Sequence, residues 1–165
     1  MTTTPTHTKP APLLSDLEQQ AWKGFLRTHA VVTKALDAEL EAEHRLSLSS
    51  YEVLLHLAMT EHGRMRMSEL AESVILSRSG LTRLIDRLER DGLIERCACP
   101  QDARGFFACL TDDGRARFDA ARASHLAAVQ RRFTELLEPQ QLASLATVWE
   151  RLSGSAAGDA PGCSG

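Results

Sequence analysis

The sequence predicts a mainly α-helical fold carrying one small β-hairpin, and three observations predict it. Apolar residues recur at three- and four-residue spacing through most of the chain, the period of a one-sided helix. Ala, Leu and Arg are abundant while aromatics make up only 5%, which favours helices. The helical period breaks in one place, Leu93–Leu110, where two short runs flank a polar loop. Read together, Ser77–Leu110 is a helix, a glycine stop, a strand, a tight loop and a second strand, the layout of a winged helix-turn-helix. Five further helices surround that recognition helix, giving a six-helix architecture.

With 165 residues and 43% hydrophobic content, the chain is long enough for one domain with a real core. Its formal charge of −3 gives no bulk attraction to nucleic acid. Residues 15–61 hold eight acids against four bases, whereas residues 64–104 hold seven acids against eight arginines. Any DNA affinity must therefore come from a few placed arginines. No segment reaches the ~18 apolar residues of a membrane helix, and MTTTPTHTKPAP has no apolar signal core. The expected location is cytoplasmic, with no membrane partner. Four cysteines in such a setting are read as free thiols and not as a disulfide framework.

Residues 1–13 read as a disordered arm. Over 14–46, Leu14, Leu17, Ala21, Phe25, Val32, Leu36 and Leu40 mark a long amphipathic helix, with Ser15 and Glu18 as a capping box. Its apolar face exceeds what a small domain covers, so it is assigned to dimerisation. The DNA-binding unit is expected over 47–110. Ser49 or Ser50 starts its first helix, burying Tyr51, Val53, Leu54 and Leu57 and ending near Glu61. Met65–Met67 is a short strand or extended link. Ser68 caps a third helix, SELAESVIL, that buries Leu70, Ala71 and Ile75. The fourth helix ends at Asp91, with Gly92 at a C′ position. On a helical wheel Leu81, Leu84, Ile85 and Leu88 share one arc, opposite Ser79, Thr82, Arg83, Asp86, Arg87 and Arg90. Leu93–Ala98 and Gly105–Leu110 form a two-stranded hairpin whose loop runs from Pro100 to Arg104. Over 111–153, Thr111 caps a helix continuing to Leu137, with Phe118, Leu126, Val129, Phe133 and Leu136 as its stripe. Pro139 opens the last helix, carrying Leu142, Leu145, Trp149 and Leu152. These two helices are also assigned to dimerisation. Residues 154–165 read as a flexible tail.

Base edges in the major groove distinguish all four pairs, and the start of a recognition helix reaches them. That singles out Ser77, Arg78, Ser79, Thr82 and Arg83; Arg87 and Arg90, further along, suit phosphates or intrahelical pairs, and Ser68 is a further DNA-binding candidate. In the loop, Asp102 can orient Arg104, and a fixed arginine suits a narrow minor groove. The alternative is an ordinary solvated face on a winged-helix module that docks proteins. An enzyme is not supported, because the sequence contains no phosphate-binding glycine loop, no GxSxG and no HExxH.

The run SRSGLTRLIDRLERDGLIER…PQDARG…LTDDGR resembles the MarR family of bacterial transcription regulators. The matching residues are Ser79, Leu81-Thr82, Asp86-Arg87-Leu88-Glu89, Gly92-Leu93-Ile94, Arg96, Asp102-x-Arg104-Gly105, Leu110-Thr111 and Gly114. The chain departs from the family's commonest wing at Ala103, where a second basic residue is frequent. The resemblance implies an obligate homodimer, built from the first and last two helices, on a double-stranded, pseudo-palindromic operator. It also implies repression, often relieved by a small ligand. Candidate ligand contacts are Trp22, Phe25, His29, Tyr51 and His56, suited to a small anionic or aromatic effector; core packing is the plainer reading of each. Cys97, Cys99 and Cys109 are read as small, partly buried strand residues ahead of a thiol switch or soft-metal site. No cofactor is implied, and the scattered His44, His56 and His62 imply no metal site.

Overall fold

The computed structural model describes residues 13–74, 77–99 and 102–157; for Arg78, Cys99, 102–105 and 155–157 only the backbone is described. Six helices surround a small sheet: α1 (Asp16–His44), α2 (Leu48–Ala58), β1 (Arg64–Arg66), α3 (Met67–Ser73), α4 (Arg78–Arg90), β2 (Ile94–Cys99), β3 (Asp102–Leu110), α5 (Asp112–Arg132), a 3₁₀ turn (Thr134–Leu136) and α6 (Pro139–Ala157).

The capping box expected on α1 is formed. The Glu18 N–H donates to Ser15 Oγ at 3.3 Å. In return, the Ser15 N–H donates to Glu18 Oε2 at 2.7 Å. Two other starts differ from expectation. α2 is capped by Ser47, not Ser49 or Ser50, and it ends at Ala58. α3 begins one residue ahead of Ser68; the Arg66 N–H is satisfied by Glu69 Oε2 at 3.2 Å, so a carboxylate replaces the serine cap. Ile75 lies outside the described residues. Gly92 takes a φ of 73° just past α4, the left-handed C′ position expected of it.

The sheet has three strands, in the order β1-β3-β2, because Arg64–Arg66 pairs antiparallel with residues 107–109 of β3. β3 also begins at Asp102, earlier than the expected Gly105, with a register shift at Ala98/Cys99. Alternation divides the sheet into two faces. Ile94, Ala108 and Met65 turn inward, while Arg64, Arg66, Glu95, Cys97, Phe107 and Cys109 share the other face.

The core gathers Leu40, Leu54, Leu57, Leu70, Ile85, Leu88, Ile94 and Phe118, all nearly inaccessible. Each such side chain contributes about 2 kcal/mol of burial. α5 differs from its expected stripe. Its buried edge is Gly114, Phe118, Ala121 and Ala128, whereas Leu126 and Leu136 are exposed. The small residues let α5 lie close to α1, where Arg131 and Arg132 donate to Glu39. Among the described residues, α1 buries Leu36 and Leu40, and its first half is largely exposed. The last helix continues through Ala157, past the expected break at Gly154, since nothing in SGSAA stops a helix already under way.

At the α2–α5 contact, the Tyr51 ring packs at a tilt against His125, with centroids 4.3 Å apart, and against Phe118 at 5.4 Å. His125 Nδ1 is buried with no hydrogen-bond partner among the described residues. Burial pushes the imidazole below its ordinary value of 6.5. The unfolded chain therefore binds the proton first as pH falls. The expected result is loss of stability as pH drops below 6.5, continuing until the folded imidazole also titrates. Urea midpoints at several pH values check this, and His125→Phe is expected to flatten the dependence in that window.

Candidate nucleic-acid interface

α3, its turn and α4 form the helix-turn-helix. Leu81, Leu84, Ile85 and Leu88 are buried as the wheel requires, so the opposite face of α4 is fixed in direction. Ser79, Thr82, Arg83, Asp86, Arg87 and Arg90 lie on that exposed face. Ser77 caps the helix, accepting from the Gly80 N–H at 3.1 Å, and its hydroxyl is 3.3 Å from that of Ser79. Arg83 is exposed, and its Nε donates to the Ser79 carbonyl at 3.3 Å, which holds the side chain along the first turn. Ser68 is exposed at the start of α3. The Arg78 side chain lies outside the described residues.

Arg87 has a partner that sequence reasoning missed. Its Nη2 donates to Ser47 Oγ at 3.0 Å and Ser50 Oγ at 2.9 Å. Ser50 is the buried polar side chain at the start of α2, and this contact satisfies it. Arg87 thus ties the recognition helix to α2. Arg96 makes a second tie, from β2 to Asp86 and Glu89 of α4. Hydrogen bonding to Asp86, together with both carboxylates' charge, raises the Arg96 pKa. This one guanidinium offsets one of the two negative charges and holds both carboxylates toward β2, so the wing is locked to the helix it accompanies, while Arg83, Arg87 and Arg90 stand exposed on that helix.

Asp102 and Arg104 lie at the start of β3, but their side chains are outside the described residues. Beside the wing, Arg64 lies over the Phe107 ring at 5.4 Å. Arg66 lies over the same ring at 5.5 Å, and both distances are within cation–π reach. The sequence signal for this pair is Arg-x-Arg, with Arg66 inside the segment read as strand or link and Arg64 just ahead of it.

The five ligand candidates fall in two places. Trp22, Phe25 and His29 form one aromatic row on α1, with centroid spacings of 5.9 and 6.2 Å, and Phe25 meets Trp149 of α6 at 5.5 Å. Tyr51 is in the core. His56 lies one turn from Glu52, whose carboxyl is pushed up by burial and partly lowered again by His56. The enclosed space between α1 and α5, lined by Leu36, Leu40, Ser124 and His125 among others, is only about 10 Å³. That is room for one water at most.

The cysteines require a correction. Cys97 and Cys109 are joined by a disulfide with Cα atoms 6.2 Å apart, not held as free thiols. Cys97 lies opposite Phe107, and Cys109 lies two residues along the same face, a diagonal that fits disulfide reach. The Cys99 side chain lies outside the described residues.

The comparisons with known proteins agree with this geometry. The MarR family model matches residues 46–106. AbsC of Streptomyces coelicolor, a MarR family transcriptional regulator of solved structure, is 34% identical, with 90% of this chain and 100% of that one covered and a TM-score of 0.85. The chain belongs to the MarR family. Sco3205, another MarR regulator from Streptomyces coelicolor and one solved in complex with DNA, is 30% identical over 90% of this chain and 92% of its own, with a TM-score of 0.84. The MdtR repressor of Bacillus subtilis is 28% identical over 130 residues, 79% of each chain. MarR proteins are transcription regulators that bind DNA, so this member is a regulator and not an enzyme. No helix among the described residues is long and apolar enough to cross a membrane.

Proposed function

We propose that this MarR protein is a sequence-specific reader of double-stranded DNA, acting as a homodimeric repressor on a pseudo-palindromic operator. The observation that carries the reading is the direction of α4: its buried leucines and the ties through Arg87 and Arg96 fix a face on which Ser79, Thr82 and Arg83 are exposed. Arg83 is the proposed base reader, with Ser77, Arg78, Ser79 and Thr82 beside it. Ser68 is the proposed phosphate contact. Arg87 contributes by positioning the helix, and Asp102 and Arg104 by reaching the minor groove.

Dimerisation is assigned to the 14–46 and 111–153 helices, and 47–110 is the reading unit. An exposed apolar face on α1 and α6 supports this, since large exposed apolar patches mark interaction sites. Trp22 is 54% exposed, Phe25 43%, Trp149 38% and Leu152 55%. Control by a small aromatic anion is proposed through Trp22, Phe25 and His29, with Lys23 supplying a cation. Tyr51 and His56 would join only if the core beside them opened.

Selection of bound duplexes from a random pool tests the reading. Recovery of a consensus supports it, and recovery of none supports a protein-docking module instead. On the selected duplex, Arg83→Ala is expected to weaken binding about 5- to 100-fold and to relax preference at one position per half-site. Equal binding by Arg83→Ala and wild type would remove Arg83 from the base-reading role.

A further inference from the structure

We propose that Cys97 and Cys109 form a reversible thiol–disulfide site in the wing stem, and that its oxidation strengthens operator binding. The proposal rests on the reading of the wing as a DNA contact. The disulfide encloses residues 98–108, and therefore the whole wing tip, including Asp102 and Arg104. It crosses β2 and β3 on the face away from the core, and the ladder from Ile94↔Leu110 to Ala98↔Phe106 remains in register around it. Bond formation thus needs no rupture of the wing. Ladder pairs out to Ala98↔Phe106 and Cys99↔Asp102 already join the two arms; the covalent link adds a constraint on their splaying, so less ordering remains to be done when the tip meets DNA.

The chemistry fits the surroundings. Cys109 is 8% exposed, and Cys97 is the more open of the two. The guanidinium groups of Arg64 and Arg66 share their face and favour a thiolate. Glu95 Oε1, 3.6 Å from Cys97 Sγ, opposes it. A peroxide would oxidise the Cys97 thiolate to a sulfenic acid, its O–O bond breaking to release water or an alcohol. The Cys109 sulfur then attacks Cys97 sulfur and expels water. The two thiols lose two protons and two electrons, and the peroxide gains them. A dithiol reductant reverses the step by exchange, leaving two thiols and its own disulfide.

The test uses the full chain treated with hydrogen peroxide or with dithiothreitol. Trypsin cuts after Arg96, Arg104 and Arg115, placing the two cysteines on separate peptides. The oxidised protein is expected to yield those peptides linked, in Cys99→Ser as in wild type, and Cys97→Ser is expected to yield none. On the selected duplex, fluorescence anisotropy is expected to show oxidised wild type binding on the order of tenfold tighter than reduced. Cys97→Ser and Cys109→Ser should bind like the reduced form under both treatments. Absence of linked peptides overturns the site. Linked peptides with equal affinity in both states overturn the effect on binding, as does a redox response surviving in Cys97→Ser. If neither state binds any selected duplex, the DNA reading fails and takes the affinity effect with it, while the linked peptides report separately on the site.

Discussion

Gly114→Ala is expected to lower the melting temperature by roughly 6–12 °C. A Cβ at Gly114 would lie 1.9 Å from the Leu93 carbonyl oxygen and 2.8 Å from Leu110 Cδ1. Backbone cannot yield as a flexible side chain does, so the two segments must separate. Those segments form the joint between the reading unit and α5. There the Thr111 hydroxyl donates to the Gly92 carbonyl at 2.7 Å and accepts from the Gly114 N–H at 3.0 Å, and the Thr111 N–H reaches the Leu93 carbonyl at 3.2 Å. Separation exposes Leu93, Leu110 and the first turn of α5, for a cost of about 3 kcal/mol. Calorimetry checks it; Gly154→Ala, with nothing within 4 Å of the added Cβ, is the control expected to leave the transition in place. An unchanged melting temperature for Gly114→Ala would mean that the joint is looser than described.

The second large effect concerns assembly. Phe25→Glu combined with Trp149→Glu is expected to convert the protein to monomers and to weaken operator binding by a factor on the order of a hundred or more. The two rings meet at 5.5 Å on a face of α1 and α6 that the other described residues leave part-exposed. Carboxylates there would be desolvated by a second copy and solvated without one. A dimer gains from its second half-site an effective concentration that a monomer lacks, which is commonly worth about a hundredfold. Sedimentation measures the first outcome and anisotropy the second. Because both rings are part-exposed, helicity should hold. A variant that remains dimeric would move the interface elsewhere.

The parts legible in the sequence are those governed by local period and local chemistry. The α4 leucines, the Ser15–Glu18 box, the Gly92 stop and the Thr111 cap each depend on residues within a few positions of one another. What escapes a sequence reading depends on segments distant along the chain. Arg87 reaches Ser47 and Ser50 on another helix, so its own helix gives no sign of that partner. β1 gains a place in the sheet because it meets the free edge of β3, and a strand so short shows no period. Cys97 and Cys109 become partners through strand register, which the expectation of free thiols in a cytoplasmic protein does not take into account. The α5 stripe differs because large residues are expected to face the core, whereas close approach to α1 demands Ala121 and Ala128. Arg83 stands out for its place on the wheel, and its exposed position on a fixed helix is why it is the proposed base contact.

Two copies of this chain are proposed to read one duplex about a two-fold axis. Footprinting on a selected duplex, with the protomers per duplex counted by native mass spectrometry, tests it most directly. Two protected half-sites of inverted sequence are expected, centred about one helical turn or ~34 Å apart and occupied by two protomers. A single protected site bound by one protomer, or protection without inverted sequence, would contradict it.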